Sequence, residues 1–239
     1  MSDTLQNRTV LITGATGALG SVVAREFAQT KACLALTGRS EEKLERLAAE
    51  LDLPDERVLT AAADVTQAES VDSLMAAITE HFGSVDVLLN VAGGWSGGKS
   101  VEETPVEDWD RLLTLNLRSA FLLARAALPA MLKAGWGRIV FVSSKTAVTP
   151  RAKQAAYAVS KMGLITLTKT IAAEVKGSGV TANAILPSII DTPTNRKFMP
   201  KADPATWVPP EDIAAMMRFL CSEEAASTSG AQIPIYGAV

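Results

Sequence analysis

Thr13-Gly14-Ala15-Thr16-Gly17-Ala18-Leu19-Gly20 is the stretch whose reading decides the fold. It follows an apolar run at 9–13 and leads into a helical pattern at 18–29. Gly14 can take a tight turn, Gly17 lets backbone come close to a bound group, and Gly20 permits a helix to pack closely on its neighbours. A strand, a glycine turn and a helix in that order open a unit in which parallel strands alternate with crossover helices.

The rest of the chain repeats that rhythm. Short apolar runs recur at 32–37, 58–62, 85–91, 138–143, 180–186 and 232–236, separated by helical patterns at 41–51, 70–81, 109–134, 155–176 and 210–220. Several runs are apolar throughout, as strands covered by helices on both faces must be. The expected fold is α/β, a doubly wound parallel sheet in one domain spanning residues 1–239. The chain is 48% hydrophobic, enough for one substantial core. Residues 191–209 break the rhythm with prolines at 193, 200, 204 and 209, beside exposed-looking Arg196, Lys197 and Trp207. Four prolines forbid one uninterrupted helix, and a loop of this length reads as a lid or binding segment.

Charge and cysteine content narrow the class. The chain carries 23 basic and 26 acidic residues and no basic run, so no footprint for nucleic acid or anionic lipid is expected. No stretch reads as a membrane span, and residues 1–8 are polar without a signal-like run. Cys33 and Cys221 read as buried free thiols, which suits a reducing cytoplasm. His81 is the only histidine and reads as the end of a surface helix; no metal site is expected. Without a histidine partner Ser143 cannot build a hydrolase triad, and the Walker pattern is missing.

The glycine turn, set between strand and helix, points to a dinucleotide whose pyrophosphate lies at the helix start; a purely structural turn is the alternative. After the second strand comes Gly38-Arg39-Ser40, with no acidic side chain to grip ribose hydroxyls. Arg39 can pair with a 2′-phosphate, which favours NADP(H) over NAD(H), or it can be a solvated side chain before a helix capped by Ser40. Asp64 can accept a bond from an adenine amino group or cap the following helix. Asn90-Val91-Ala92-Gly93-Gly94 ends the fourth strand with small residues, where backbone can lie against a cofactor, while Asn90 can tie neighbouring loops together.

Tyr157 and Lys161 are four residues apart in a helical pattern and share a face. An ammonium beside a phenol favours the ionised form and eases proton exchange near neutral pH. Ser144 closes the fifth strand, where a hydroxyl can meet Tyr157 and a substrate oxygen; Ser143 faces elsewhere. Asn116 is a polar residue in an apolar helical stretch, holding a water towards Lys161 or bridging backbone groups.

With TGATGALG at 13–20, NVAG at 90–93, Asn116, Ser144, YAVSK at 157–161 and PSIIDT at 187–192, the chain resembles the short-chain dehydrogenase/reductase family over essentially its whole length. The resemblance implies a Rossmann-like domain of seven parallel strands, a homo-oligomer, and a tetramer in particular. It implies that Tyr157 exchanges the proton at the substrate oxygen and that Lys161 binds nicotinamide ribose and lowers the phenol pKa. Ser144 would polarise the substrate and Asn116 would support a relay water. The implied cofactor contacts add Thr16, Leu19, Val65 and Ala92 to the residues of the turn, and Pro187, Ile190 and Thr192 beyond the sixth strand. Ala18 stands where the family has a glycine, Val91 replaces an asparagine and Ser188 a glycine. A narrower similarity, at 91–98 and 191–197, is to dihydropteridine reductases, with Trp95 able to stack on a flat substrate. Ser144 and Arg39 depart from that group. Carbonyl and alcohol redox chemistry on a small molecule is the leading expectation, followed by pterin reduction and by a non-catalytic dinucleotide sensor or interaction protein.

Overall fold

The computed structural model describes residues 4–238; the first three residues of the polar N-terminal stretch and Val239 lie outside the described residues. Seven strands form one sheet: β1 Thr9–Thr13, β2 Cys33–Gly38, β3 Val58–Ala62, β4 Val87–Asn90, β5 Gly137–Val142, β6 Val180–Pro187 and β7 Gln232–Ile235. Every pairing is parallel and the order is β3-β2-β1-β4-β5-β6-β7. This is the doubly wound, Rossmann-like arrangement expected. The chain leaves β1 towards β2 on one side and returns to pair β4 on the other, so the strand order reverses between β1 and β4. Ligands bind in such a crevice, outside the carboxyl ends of the strands.

The helices are α1 Ala18–Ala28, α2 Glu41–Leu51, α3 Ala68–Phe82, α4 Val106–Leu113, α5 Ser119–Ala134, α6 Lys145–Val148, α7 Ala155–Glu174, α8 Pro193–Phe198 and α9 Pro210–Leu220. Side chains of successive strand residues point to opposite faces. In β1, Val10 and Ile12 therefore enter one core with Val23 and Phe27 of α1 and Ile213 and Met217 of α9, while Leu11 enters a second core with Leu74, Leu123 and Leu164. Both faces of the five inner strands are buried, which is why those strands read as unbroken apolar runs.

Three expectations need correction. The helical pattern at 109–134 is two α-helices joined by a π-helical stretch, Thr114–Arg118, in which the fully buried Asn116 sits. Together Val106–Ala134 run for 29 residues with a mean hydropathy of 1.2 over the most apolar window, long and apolar enough by those measures to cross a membrane. Here the stretch covers the sheet, and α5 packs on β4 and β5. Trp207 is buried, only 4% exposed, because residue 208 continues into a bridge with Ile190 and draws the indole inward. Cys33 is half-buried, whereas Cys221 is fully buried, its thiol pushed up to about 12 by burial. His81 lies exposed in the last turn of α3.

Candidate active site

The glycine turn works through contacts of backbone with backbone. Gly14 has a φ of +64°, and a Cβ there would stand 2.9 Å from the Cα of Ala92 at the end of β4. Gly20 is more constrained: a Cβ would fall 2.1 Å from the Gly14 carbonyl oxygen, so no side chain fits. Gly17 begins α1, which has no side-chain cap and no acidic residue in its first turn. An anion can take the place of the missing cap. Ala18, the departure from the family pattern, is exposed as the first helical residue, so its methyl displaces nothing in the core.

This turn forms one wall of a cleft of about 790 Å³. Among the sequence-derived residues, Gly14, Thr16, Gly17, Leu19, Arg39, Asp64, Val65, Ala92 and Gly93 line it. The volume falls within the range of cofactor sites. Arg39 is exposed at the end of β2, and Ser40 behind it caps α2, its hydroxyl accepting from the Lys43 N–H at 3.4 Å. Asp64 does not cap α3. Its Oδ1 accepts from the Thr66 N–H at 3.0 Å and the Thr66 hydroxyl at 2.7 Å, and these bonds hold its carboxyl below the usual carboxylate range, with a lesser pull from Arg39.

Asn90 turns away from the cleft. Its Oδ1 accepts the Thr13 hydroxyl at 2.7 Å, and the Thr13 Oγ1 accepts the Ala92 N–H at 3.1 Å, so the side chain laces β4 to β1 at the switch point. The loop beyond is held from the other side by Asn116. That amide accepts the Gly94 N–H at 2.8 Å and donates both to the Gly94 carbonyl at 3.0 Å and to the Ser160 hydroxyl at 3.0 Å. Its side chain bridges backbone groups, as one of the two sequence readings had it.

Ser144, Tyr157 and Lys161 meet at the carboxyl end of β5. Lys161 is buried on α7, donating from Nζ to the Val142 carbonyl at 2.8 Å. Its own carbonyl accepts the Ser143 hydroxyl at 2.7 Å, so Ser143 serves as an anchor. A Cβ on Gly93 would lie 3.0 Å from Asn116 Oδ1 and 3.2 Å from Lys161 Nζ, which places the ammonium at the cleft wall. Burial alone lowers the Lys161 pKa to about 8. Tyr157 departs from expectation: burial raises its pKa, and the opposing pull is a hydrogen bond with Ser144. The Lys161 Nζ is 5.9 Å from the phenol ring centre and engaged by Val142, so in this geometry the ammonium does not lower the phenol pKa. The Ser144 hydroxyl also accepts the Thr146 N–H at 3.1 Å, as the cap of α6.

Pro187, Ile190 and Thr192 lie beyond the lined cleft. Pro187 ends β6 opposite Ile235, Ile190 bridges Val208, and the buried Thr192 caps α8 by accepting the Asn195 N–H at 3.2 Å. Arg196 forms a two-pronged ion pair with Asp191 at 2.6 and 2.7 Å. Trp95 is 63% exposed, with its ring edge near Gly97. Several lining residues escaped the sequence reading: Asp110, Arg111, Thr114 and Leu115 close the cleft from α4 and the π-helical stretch. No local pattern marks them, since they reach the site only when α4 folds over it. Ser160 was also missed, although a small polar residue between Tyr157 and Lys161 in a buried helix was a signal; its hydroxyl donates to the Tyr157 carbonyl at 2.8 Å.

Comparison with known proteins agrees with this geometry. Residues 8–203 match the family model described as short chain dehydrogenase. The chain is 32% identical to D-beta-hydroxybutyrate dehydrogenase of Rhizobium meliloti, covering 96% of this chain and 97% of that protein. It is 34% identical to D-threitol dehydrogenase of Mycolicibacterium smegmatis, over 98% and 93%. A 3-oxoacyl-acyl-carrier-protein reductase of Vibrio cholerae is 33% identical over 98% and 97%. A short-chain dehydrogenase/reductase from Brucella melitensis, titled glucose/ribitol dehydrogenase, superposes with a TM-score of 0.90 at 30% identity, over 99% of this chain and 98% of that one. With the family model spanning most of its length and relatives alike from end to end, the chain belongs to the short-chain dehydrogenase/reductase family of oxidoreductases.

Proposed function

We propose that this oxidoreductase interconverts a carbonyl and an alcohol on a small molecule, using NADP(H) in preference to NAD(H). The observation that carries the reading is the meeting of Ser144, Tyr157 and Lys161 at the end of β5, against the Gly93 wall of the cleft. The residues fit a dinucleotide: Gly14 and Gly20 leave no room for side chains, α1 begins uncapped, and Arg39 stands exposed where a 2′-phosphate would lie. A nicotinamide bound there supplies a hydride in reduction and accepts one in oxidation.

In the reducing direction Ser144 donates to the carbonyl oxygen and holds it beside the phenol. Tyr157 Oη gives its proton to that oxygen as the alcohol forms, and takes it back in oxidation. A phenol kept neutral by burial suits the donor role. Lys161 Nζ, held by the Val142 carbonyl at the Gly93 wall, would bind the nicotinamide ribose. Asn116 holds the Gly93-Gly94 backbone against the site. Asp64 and Val65 would hold the adenine end of the dinucleotide, Thr16 and Leu19 the pyrophosphate, and Pro187, Ile190 and Thr192, beyond the lined cleft, the nicotinamide end. Asn90 acts through Thr13, positioning the Ala92 backbone.

Relatives named for hydroxybutyrate, threitol and an oxoacyl carrier protein support a carbonyl/alcohol pair. Neither pterin reduction, with Trp95 as the platform, nor a non-catalytic role is favoured beside relatives named dehydrogenases and reductases. Residues 191–209 would serve as the substrate segment. Exposed Phe121 of α5 and Val159 and Met162 of α7 suit burial between subunits of a homotetramer. Two free cysteines suit a cytoplasmic setting. Turnover of a small carbonyl panel with NADPH tests the reading: Tyr157→Phe is expected to lower kcat by roughly 10²- to 10⁴-fold while NADPH binding, read by fluorescence, is retained. An unchanged kcat overturns the acid role.

A further inference from the structure

Residues 235–238, at and beyond the end of β7, touch both limbs of the segment 191–209. The outgoing limb leaves β6 through Ser188. Its N–H donates to the Ile235 carbonyl at 3.0 Å and its hydroxyl to the Tyr236 carbonyl at 2.6 Å. The second of these bonds needs a side chain, and it is made by the serine that stands where the family has a glycine. The returning limb is met at Gly237. That residue has a φ of +61°, and a Cβ there would lie 2.8 Å from the Thr206 carbonyl oxygen and 3.1 Å from the Trp207 carbonyl carbon. Backbone lies against backbone, which only glycine allows. The Ala238 N–H donates to the same Thr206 oxygen at 3.0 Å.

Between these two contacts Tyr236 reaches the catalytic side. Its ring packs on the apolar cluster of Ala147, Ile165, Ala184 and Leu186, and Lys145 Nζ stands 4.8 Å from the ring centre. Lys145 directly follows Ser144, and Ile165 lies about one turn beyond Lys161 on α7. One short stretch thus joins the way out of β6, the way back towards α9 and the helix that Ser144 caps. The two limbs also pair with each other: the Asp191 N–H donates to the Val208 carbonyl and the Val208 N–H to the Ile189 carbonyl, both at 2.8 Å. Beyond that base the segment is open. Phe198 at the end of α8 is 79% exposed, whereas Trp207 and Val208 at the base are buried. With its tip in solvent, the segment takes its position from its base.

We propose that Ser188, Tyr236 and Gly237 are positioning residues: they set where the segment 191–209 stands relative to Ser144, and through it the enzyme's affinity for substrate. The inference rests on the reading of 191–209 as the substrate segment. A segment held at its base is in its binding position before substrate arrives. Once the base is loosened, only a fraction of the molecules is competent to bind, and the apparent affinity falls by that fraction. Saturating substrate restores the competent population, so KM rises while kcat stays.

The test reads hydrogen exchange over residues 189–208, and NADPH-dependent reduction of 4-nitrobenzaldehyde, in wild type and variants that still melt cooperatively. Gly237→Val puts a branched side chain where no Cβ fits, and Tyr236→Ala removes the ring. Each should speed exchange at 189–208 and raise KM by roughly 5- to 30-fold, the factor carried by one or two hydrogen bonds, with kcat within about twofold of wild type. Ser188→Gly should act in the same direction and more weakly. Tyr236→Phe keeps the ring and Ser188→Thr the hydroxyl, so both should stay near wild type. The inference is overturned if exchange at 189–208 in Gly237→Val and Tyr236→Ala matches wild type, or if kcat falls while KM holds. Faster exchange with kcat and KM both unmoved would instead overturn the reading of 191–209 as the substrate segment, and the claim on affinity with it. A wild type that binds NADPH and reduces no carbonyl would count against the carbonyl/alcohol reading, and the exchange comparison would still decide the role of these residues.

Discussion

The sheet buries a cation at each end, and the two are treated differently. At its amino end Arg138 is 1% exposed; its Nε is buried without a hydrogen bond, but Nη1 donates to the carbonyls of Gly137 and Gly179 at 2.9 and 3.0 Å, Nη2 lies 3.6 Å from Glu223, and the guanidinium sits 4.4 Å from the centre of the Trp136 ring. Arg8 also stacks on that ring, at 4.0 Å, and pairs with Asp86 at 3.1 Å. At the carboxyl end Lys161 has the Val142 carbonyl and no carboxylate among its recorded hydrogen bonds or ion pairs. Burial lowers the pKa of both, but at Arg138 the Glu223 carboxylate pushes back, while at Lys161 nothing does. A buried charge with a carboxylate beside it holds the fold; one answered only by a carbonyl is available to a ligand.

The contrast breaks most visibly at Arg138. Arg138→Met should destabilise the protein by about 2–4 kcal/mol in urea denaturation, because two backbone carbonyls and Glu223 lose their cation. A loss under about 0.5 kcal/mol, the range of ordinary surface substitutions, would mean that the cluster does not bear on the fold.

At the other end the expected effect is in its pH dependence. The folded pKa of Lys161 is depressed to about 8 from 10.5, so the folded protein binds fewer protons than the unfolded chain between those values. The cost of burying the ammonium is present at neutral pH and is relieved as pH rises through that window. Measured against Lys161→Met, the wild type should gain about 2–3 kcal/mol between pH 7.5 and 10. Parallel stability curves for the two would show that burying the Lys161 ammonium carries no cost.

The smallest effect is expected at a third cation, Arg39, exposed in the cleft. Arg39→Asp should lower NADPH affinity relative to NADH by about 10- to 100-fold, the strength of a guanidinium bond to phosphate. Equal affinities in the wild type would remove Arg39 from cofactor choice.

The sheet was legible because its five inner strands are buried on both faces and its turn needs glycine at positions 14 and 20. The gathering of Ser144, Tyr157 and Lys161 was legible because strand ends and helix starts share one edge of such a sheet. Other features were hidden for physical reasons. A π-helical turn keeps helical spacing, so nothing local separates residues 114–118 from the helices around them. Trp207 looked exposed among prolines, yet tertiary pairing with Ile190 decides its burial. Arg138 stood as a lone charge in an apolar strand, a sign of buried pairing that went unread.

The amide of Asn116 grips Gly94 by both its backbone groups. Conformational freedom in that segment is therefore surrendered once, as the chain folds, instead of each time a ligand arrives. Association should then approach lock-and-key behaviour on the side formed by Gly93 and Gly94, and whatever adjustment accompanies each catalytic cycle is left to the opposite bank.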